Sequence, residues 1–467
     1  MHLPEPFSCE RFEPVRSETF FNMQLQGQTV PFCCVCEDTV FRAPDGHPEA
    51  SIFTISYERI GQEGPRPVLF LWNGGPGSAT STLHLECFGP WGIRRGSQGE
   101  SVYGLEENAD CLLDLCDLVF VDPVGVGLSR LLDPEKASKY YCVDGDARSV
   151  AFTIVEWLRR HGRFDSPVHI LGESYGTVRA CRVLAELGRS PYSESRMVLG
   201  IPVRSVTLIG LATSENGSDL EPTIALMPAM AATKLYHEGL KDLSSTHART
   251  VLRDAWQFAS TKLLNAYFQG DELDAQTIAD LSVLLAAYTG LFQDYWITHH
   301  LKLDSVQDFM TQAKPGYTLD LYDSRLAVPD GTPYNPIGNS NVPILVMNGL
   351  LLPMLGVQTE RLYYTGNINV NAQFHYATEA LDERVKRSHL DCLRDSMTAN
   401  PDMRVLFASG LFDLCTYAGN TRYAASHAGL ARDRCTVREY PGGHGVYSSP
   451  EGRRAFLEDM RALLSDP

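Results

Sequence analysis

The chain has 467 residues, of which 44% are hydrophobic and 21% charged, an ordinary globular composition with more length than one growing core accommodates. Its formal net charge of −17 argues against a nucleic-acid surface, which needs a basic patch. No apolar run approaches the roughly 18 residues of a membrane-spanning helix, so neither nucleic acid nor membrane is expected as a partner.

Met1–Pro6 shows neither a basic n-region nor an apolar h-region, so no secretory signal is read and a cytoplasmic location is the expectation. In that setting the twelve cysteines are expected to be reduced and packed as small hydrophobes. Cys33, Cys34 and Cys36 lie in a strand-like run, which puts Cys34 and Cys36 on one face and points Cys33 and Cys36 apart. No second Cys-x-x-Cys pair completes a zinc site, and no metal is expected.

Residues 18–60 alternate in period two around the turn-like Ala43-Pro44-Asp45-Gly46, which predicts an antiparallel meander. From about 67 to 210 short apolar strands alternate with helices. The predicted strands are Val68–Trp72, Leu118–Asp122, Val168–Leu171 and Val206–Ile209. Nearly continuous apolar strands suit a parallel sheet covered on both faces. Ala147–His161 carries Val150, Ile154, Val155 and Leu158 at helical spacing and reads as a crossover helix. Between 214 and 400 this rhythm gives way to helical patterns such as Leu252–Tyr267 and Ala275–Tyr288. It resumes with strand Arg404–Ala408, helix Thr421–Ala428, strand Thr436–Tyr440 and helix Pro450–Leu464. The fold class predicted is α/β: a core over 18–213 and 401–467, mostly parallel in its central sheet, interrupted by a largely helical cap over 214–400.

Within the core, Gly172-Glu173-Ser174-Tyr175-Gly176 has the Gly-x-Ser-x-Gly form of a nucleophile elbow, with a strand before it and a helix after. The flanking glycines let the tight turn pass without a Cβ clash, leaving Ser174 as the candidate nucleophile. Such a serine needs a base and an orienting carboxylate, placed later in the chain in the order Ser, Asp, His. Asp413 follows strand Arg404–Ala408, and His444 follows strand Thr436–Tyr440 within Gly442-Gly443-His444-Gly445. Loops at the carboxyl ends of strands are where open α/β sheets place their sites. His84, His169, His299, His300 and His427 occupy poorer positions and read as structural or surface residues. An oxyanion hole needs two backbone N–H donors. Tyr175 supplies one, and the glycine-rich loop Asn73-Gly74-Gly75-Pro76-Gly77-Ser78 suits the other. That loop lacks the Gly-Lys-Ser/Thr ending of a phosphate loop. Pro123–Leu128 lacks the third glycine of a dinucleotide site and reads as packing, so no cofactor is expected.

Five motifs in this order resemble the serine carboxypeptidases, peptidases of α/β-hydrolase fold: Trp72–Gly77, Val121–Ser129, Gly172–Gly176, Ser409–Asp413 and Gly442–His444. The segment from Leu226-Met227-Pro228 to Tyr236-His237 resembles the bacterial-type branch. The resemblance implies a peptide substrate, attack by Ser174 on its last peptide carbonyl, proton shuttling by His444 and orientation by Asp413. It implies oxyanion donors at Gly75 and Tyr175, and binding of the free terminal carboxylate by Asn73 with two glutamates, one of them Glu173. It also leaves room for a homodimer. The second family glutamate lies in Glu-x-Gly-Pro. Here Leu85-Glu86-Cys87-Phe88-Gly89-Pro90 puts Cys87 at that position and Glu86 one residue early, a rotation of about 100° on a helix. Gly445 stands where many relatives carry Met. Two further readings stay open at this point: an esterase, amidase or acyltransferase using the same triad, and a catalytically silent binding protein.

Overall fold

The structure, a computed structural model, describes residues 12–62, 64–97, 100–188, 200–213, 220–332, 341–376 and 388–465; Met1–Pro6 lies outside them. Three antiparallel strands open the chain: β1 (Arg16–Leu25), β2 (Gln28–Arg42) and β3 (Pro48–Arg59). They are followed by β4 (Val68–Trp72), a side hairpin of β5 (Trp91–Arg95) and β6 (Ser101–Glu107), then β7 (Asp117–Asp122) and the two-residue β8 (Arg130–Leu131). The remaining strands are β9 (Val168–Glu173), β10 (Val203–Ile209), the pair β11 (Tyr317–Leu319) and β12 (Ala327–Pro329), β13 (Arg404–Gly410) and β14 (Cys435–Tyr440).

The main sheet runs β1-β2-β3-β7-β4-β9-β10-β13-β14. The meander joins antiparallel through β3 and β7, and every pairing from β7 to β14 is parallel. The apolar runs follow from burial on both faces. Val68, Phe70 and Trp72 pack with Val150, Ile154 and Trp157 of the crossover helix Val143–Arg160. Leu69 and Leu71 turn the other way, into a cluster that includes Phe456 and Met460 of the terminal helix Pro450–Leu464. Phe70, Trp72 and Trp157 are fully buried, and each side chain of this size contributes about 1.5–3 kcal/mol when removed from water.

Cys34 and Cys36 do share a face, their sulfurs 3.9 Å apart and buried. The eleven described cysteines are all free thiols. The hairpin β5–β6 was not legible in the sequence.

The stretch expected as one helical cap divides in the structure. Pro222–His237, Thr246–Phe258 and Ala275–Thr289 build a separate apolar cluster with Leu263, Trp296 and Phe309. By contrast, Met347, Leu351 and Leu355 join the core cluster under the meander. Helix His389–Ala399 lays Leu390, Leu393 and Met397 into the cluster shared with the elbow helix Tyr175–Leu187. Helical periodicity is the same whether a helix covers a sheet or builds a cap, so the pattern could not separate these pieces.

Candidate active site

Ser174 sits between β9 and the helix Tyr175–Leu187 with φ 60° and ψ −130°, a positive φ that a non-glycine residue holds only when its surroundings impose it. Its N–H donates to Ile209 O at 2.8 Å on β10, and its carbonyl accepts from Thr177 N at 2.9 Å. Gly172 is required by contact: a Cβ there would stand 2.0 Å from Gly176 O. Trp72 Nε1 donates to that same carbonyl at 2.9 Å, tying β4 to the elbow.

His444 Nδ1 is 2.8 Å from Asp413 Oδ2. Asp413, fully buried, also accepts from Cys415 N at 2.7 Å and Thr416 N at 3.0 Å through Oδ1, and from the Thr416 hydroxyl through Oδ2. The loops after β13 and β14 therefore hold the pair as expected. Gly210, the residue after Ser174's partner Ile209, lies against the imidazole, where a Cβ would stand 3.3 Å from His444 Cε1. The three residues thus follow the carboxyl ends of β9, β13 and β14, which lie on one side of the sheet order with β10 between β9 and β13. In this state Ser174 Oγ and His444 Nε2 make no hydrogen bond among the described residues, as is common before substrate tightens such a site.

The glycine-rich loop crosses directly over the elbow, for a Cβ at Gly74 would stand 2.5 Å from Tyr175 N. Gly75 has φ 104°. Tyr175 is the first residue of its helix, whose opening amides have no intrahelical acceptor and attract negative charge. Tyr175 N, one of the two groups expected to receive an oxyanion, thus lies at this contact, and Gly75 follows Gly74 in the loop.

Beside them, Asn73 Nδ2 donates to Glu173 Oε1 at 2.7 Å, and Asn73 Oδ1 accepts from Leu83 N at 3.1 Å. Both residues are buried. Glu86 does not join them. It lies on the one-turn π-helical segment His84–Phe88, and its carboxylate pairs with Arg95 on the side hairpin. The one-residue offset read in the sequence thus goes with a different partner for Glu86, away from Asn73 and Glu173. Cys87 lies at the expected place with a thiol that burial pushes up to about 12, so it is neutral.

Burial raises the Glu173 pKa, opposed by the charge of His444 and by hydrogen bonds from Tyr447 and Asn73, and reinforced by Asp413; the net direction is upward. Burial alone would lower His444, but the charge and hydrogen bond of Asp413, together with the Glu173 charge, hold it at about 9.

Sequence reasoning missed several residues that build this site. Arg179, 1% exposed, donates from Nη1 to Asn73 O and from Nε to Asp146 Oδ2, both at 2.7 Å, fixing the loop to the elbow helix. Tyr447 donates its hydroxyl to Glu173 Oε2 at 2.6 Å. From the cap, Tyr322 accepts from His444 N at 2.6 Å and lays its half-exposed ring 5.2 Å from the imidazole. Neighbouring Leu321 O accepts from Leu414 N, and Ser324 N donates to Phe412 O. The cap thereby pins the Asp413 loop. An Arg one turn after the elbow was the one local signal; the others lie far away in sequence. Four of the five histidines set aside are structurally engaged: His84 with Tyr57 OH at 2.8 Å, His169 with Ser205 Oγ at 2.7 Å, and His299 and His427 with backbone carbonyls. Among the described residues no group of His, Cys, Asp and Glu could hold a metal.

The mostly parallel sheet, the strained serine at the end of a strand and the histidine and aspartate on the following loops define an α/β-hydrolase. Residues 44–197, about a third of the chain, match the serine carboxypeptidase family model. Among solved structures, the chain is similar to Kex1(delta)p, a prohormone-processing carboxypeptidase from Saccharomyces cerevisiae, with a TM-score of 0.55 and 12% identity over 92% of this chain and 91% of that one. At that identity the likeness shows the fold. Weaker likenesses include a thermostable carboxyl esterase from Bacillus coagulans (TM-score 0.38, 11% identity, 92% and 99% coverage) and the peroxisomal α/β-hydrolase Lpx1 from Saccharomyces cerevisiae (0.38, 9%, 97% and 90%). No curated protein matches the chain.

Proposed function

We propose that the protein is a serine carboxypeptidase that removes single residues from peptide C-termini through an acyl-enzyme on Ser174, with free-acid peptides favoured in acid. His444 takes the serine proton and returns it to the leaving amine, while Asp413 fixes its tautomer and stabilises the imidazolium. The N–H groups of Gly75 and Tyr175 receive the oxyanion. The observation that carries the exopeptidase reading is the buried Glu173, adjacent to the nucleophile and hydrogen-bonded to Asn73. A carboxyl group in that setting binds another carboxylate only when it holds a proton to share.

Two groups then titrate in opposition. Glu173 must keep a proton to bind the terminal carboxylate, and His444 must lose one to act as base. Neutralising Glu173 removes one of the charges that hold His444 protonated, so the first event favours the second.

The test is cleavage of one N-blocked dipeptide as free acid and as C-terminal amide, from about pH 4 to 8, with Ser174→Ala as control. Cleavage of the free acid alone, strongest in acid and absent in the variant, is expected. Equal turnover of both forms, rising towards neutral pH, would leave an esterase, amidase or acyltransferase with the same triad; the pairing of Glu86 with Arg95, which removes a second carboxyl from the site, is the observation on that side.

A further inference from the structure

The carboxylate site holds a residue outside the triad, the oxyanion loop and the Asn73–Glu173 pair. Tyr447, 6% exposed, lies three residues beyond His444, and its hydroxyl donates to Glu173 Oε2 at 2.6 Å. Its ring crosses Gly445, where a Cβ would stand 3.0 Å from Cε2 and Cζ. A side chain at 445 would occupy the space of the ring, so the glycine and the tyrosine act together.

A bound carboxylate needs N–H or O–H groups directed at it. Asn73 has two amide protons, one given to Glu173 Oε1, and its oxygen is taken by Leu83 N. The Tyr447 proton is given to Oε2. An ionised Glu173 therefore consumes two of the local protons and repels a second anion. Once protonated, it becomes a donor itself.

We propose that Tyr447, seated in the space Gly445 leaves open, is a specificity-determining residue that sets the acidity at which Glu173 takes up the one proton needed to hold a substrate's terminal carboxylate. This rests on the carboxypeptidase reading above. The other groups acting on Glu173 are Asn73 from the loop after β4, His444 and Asp413 from the loops after β14 and β13, and the neutral Cys87 thiol. Removing the Tyr447 hydroxyl leaves the triad untouched and takes one hydrogen bond from Glu173, together with the contact the hydroxyl makes to the Asn73 amide. A hydrogen bond to a carboxylate favours its charged form, so losing it leaves the proton in place to higher pH.

The experiment measures KM against pH for an N-blocked dipeptide free acid, with the N-blocked amino-acid ester, which lacks the carboxylate, as reference. In the parent protein KM for the free acid is expected to rise tenfold per pH unit above the Glu173 transition, while KM for the ester stays level. In Tyr447→Phe that rise should begin about one pH unit higher. Gly445→Ala, which crowds the ring, should move it in the same direction and serves if Tyr447→Phe does not fold. A KM transition unmoved in both variants, with free acid still preferred, would overturn the role of Tyr447. A parent protein with no free-acid preference at any pH would instead overturn the carboxypeptidase reading beneath it.

Discussion

Replacing Asp413 with Asn tests the triad through its hydrogen-bond geometry. Asp413 Oδ1 accepts from two backbone amides, Cys415 N and Thr416 N, while Oδ2 faces His444 Nδ1 at 2.8 Å. An amide NH2 cannot face two N–H donors, so the Asn oxygen keeps the Oδ1 place and its nitrogen replaces Oδ2. That nitrogen donates toward Nδ1, which must then be an acceptor. The imidazole proton moves to Nε2, the atom that has to receive the serine proton. A base held in the wrong tautomer costs roughly 10⁴ in kcat, or about 5 kcal/mol of barrier. Two observables separate this from unfolding: peptide turnover and organophosphate labelling of Ser174 should both fall, while the thermal midpoint is retained. Loss of the Asp413 charge also removes the chief support for the His444 imidazolium, so any residual activity should show its acid limb at lower pH. A folded variant within tenfold of the parent rate and with an unchanged pH profile would refute this reasoning.

Arg179→Met should strand Asp146 as an uncompensated buried charge and release Asn73 O, lowering stability by about 3–5 kcal/mol in denaturant titration, with part recovered by adding Asp146→Leu. Glu86→Gln should leave the free-acid to amide ratio within about threefold of the parent, because Glu86 pairs with Arg95; a loss comparable to that of Glu173→Gln would contradict the assignment. His161 pairs with Glu37 at 3.1 Å and Glu58 at 2.8 Å and stacks on Trp157; burial alone would lower its pKa, but these carboxylates raise it to about 9. A raised histidine stabilises the fold fully below its unfolded pKa of about 6.5 and loses that support as pH rises through about 9, a change of about 3 kcal/mol. The thermal midpoint of the parent should fall over that window, and His161→Gln should flatten the slope; parallel curves would rule the effect out.

The sequence by itself determined what is local. Period-two alternation set the meander, continuous apolar runs marked the buried strands, and the glycines around Ser174 and His444 marked turns where backbone approaches backbone. These signals survive without the fold because each reflects the conformation and burial of its own segment. Val68–Trp72 and Pro450–Leu464 were predicted to the residue for this reason. Only the tertiary structure decided which distant groups meet. It gave Glu86 to Arg95, brought Tyr447 to Glu173 across 274 positions and set Tyr322 of the cap against His444. It also drew helix His389–Ala399 into the core instead of the cap. Such contacts depend on the ordering of strands in the sheet and on the rotation of each side chain about its own element. A one-residue offset like that of Glu86 leaves composition and periodicity unchanged and yet selects a different partner.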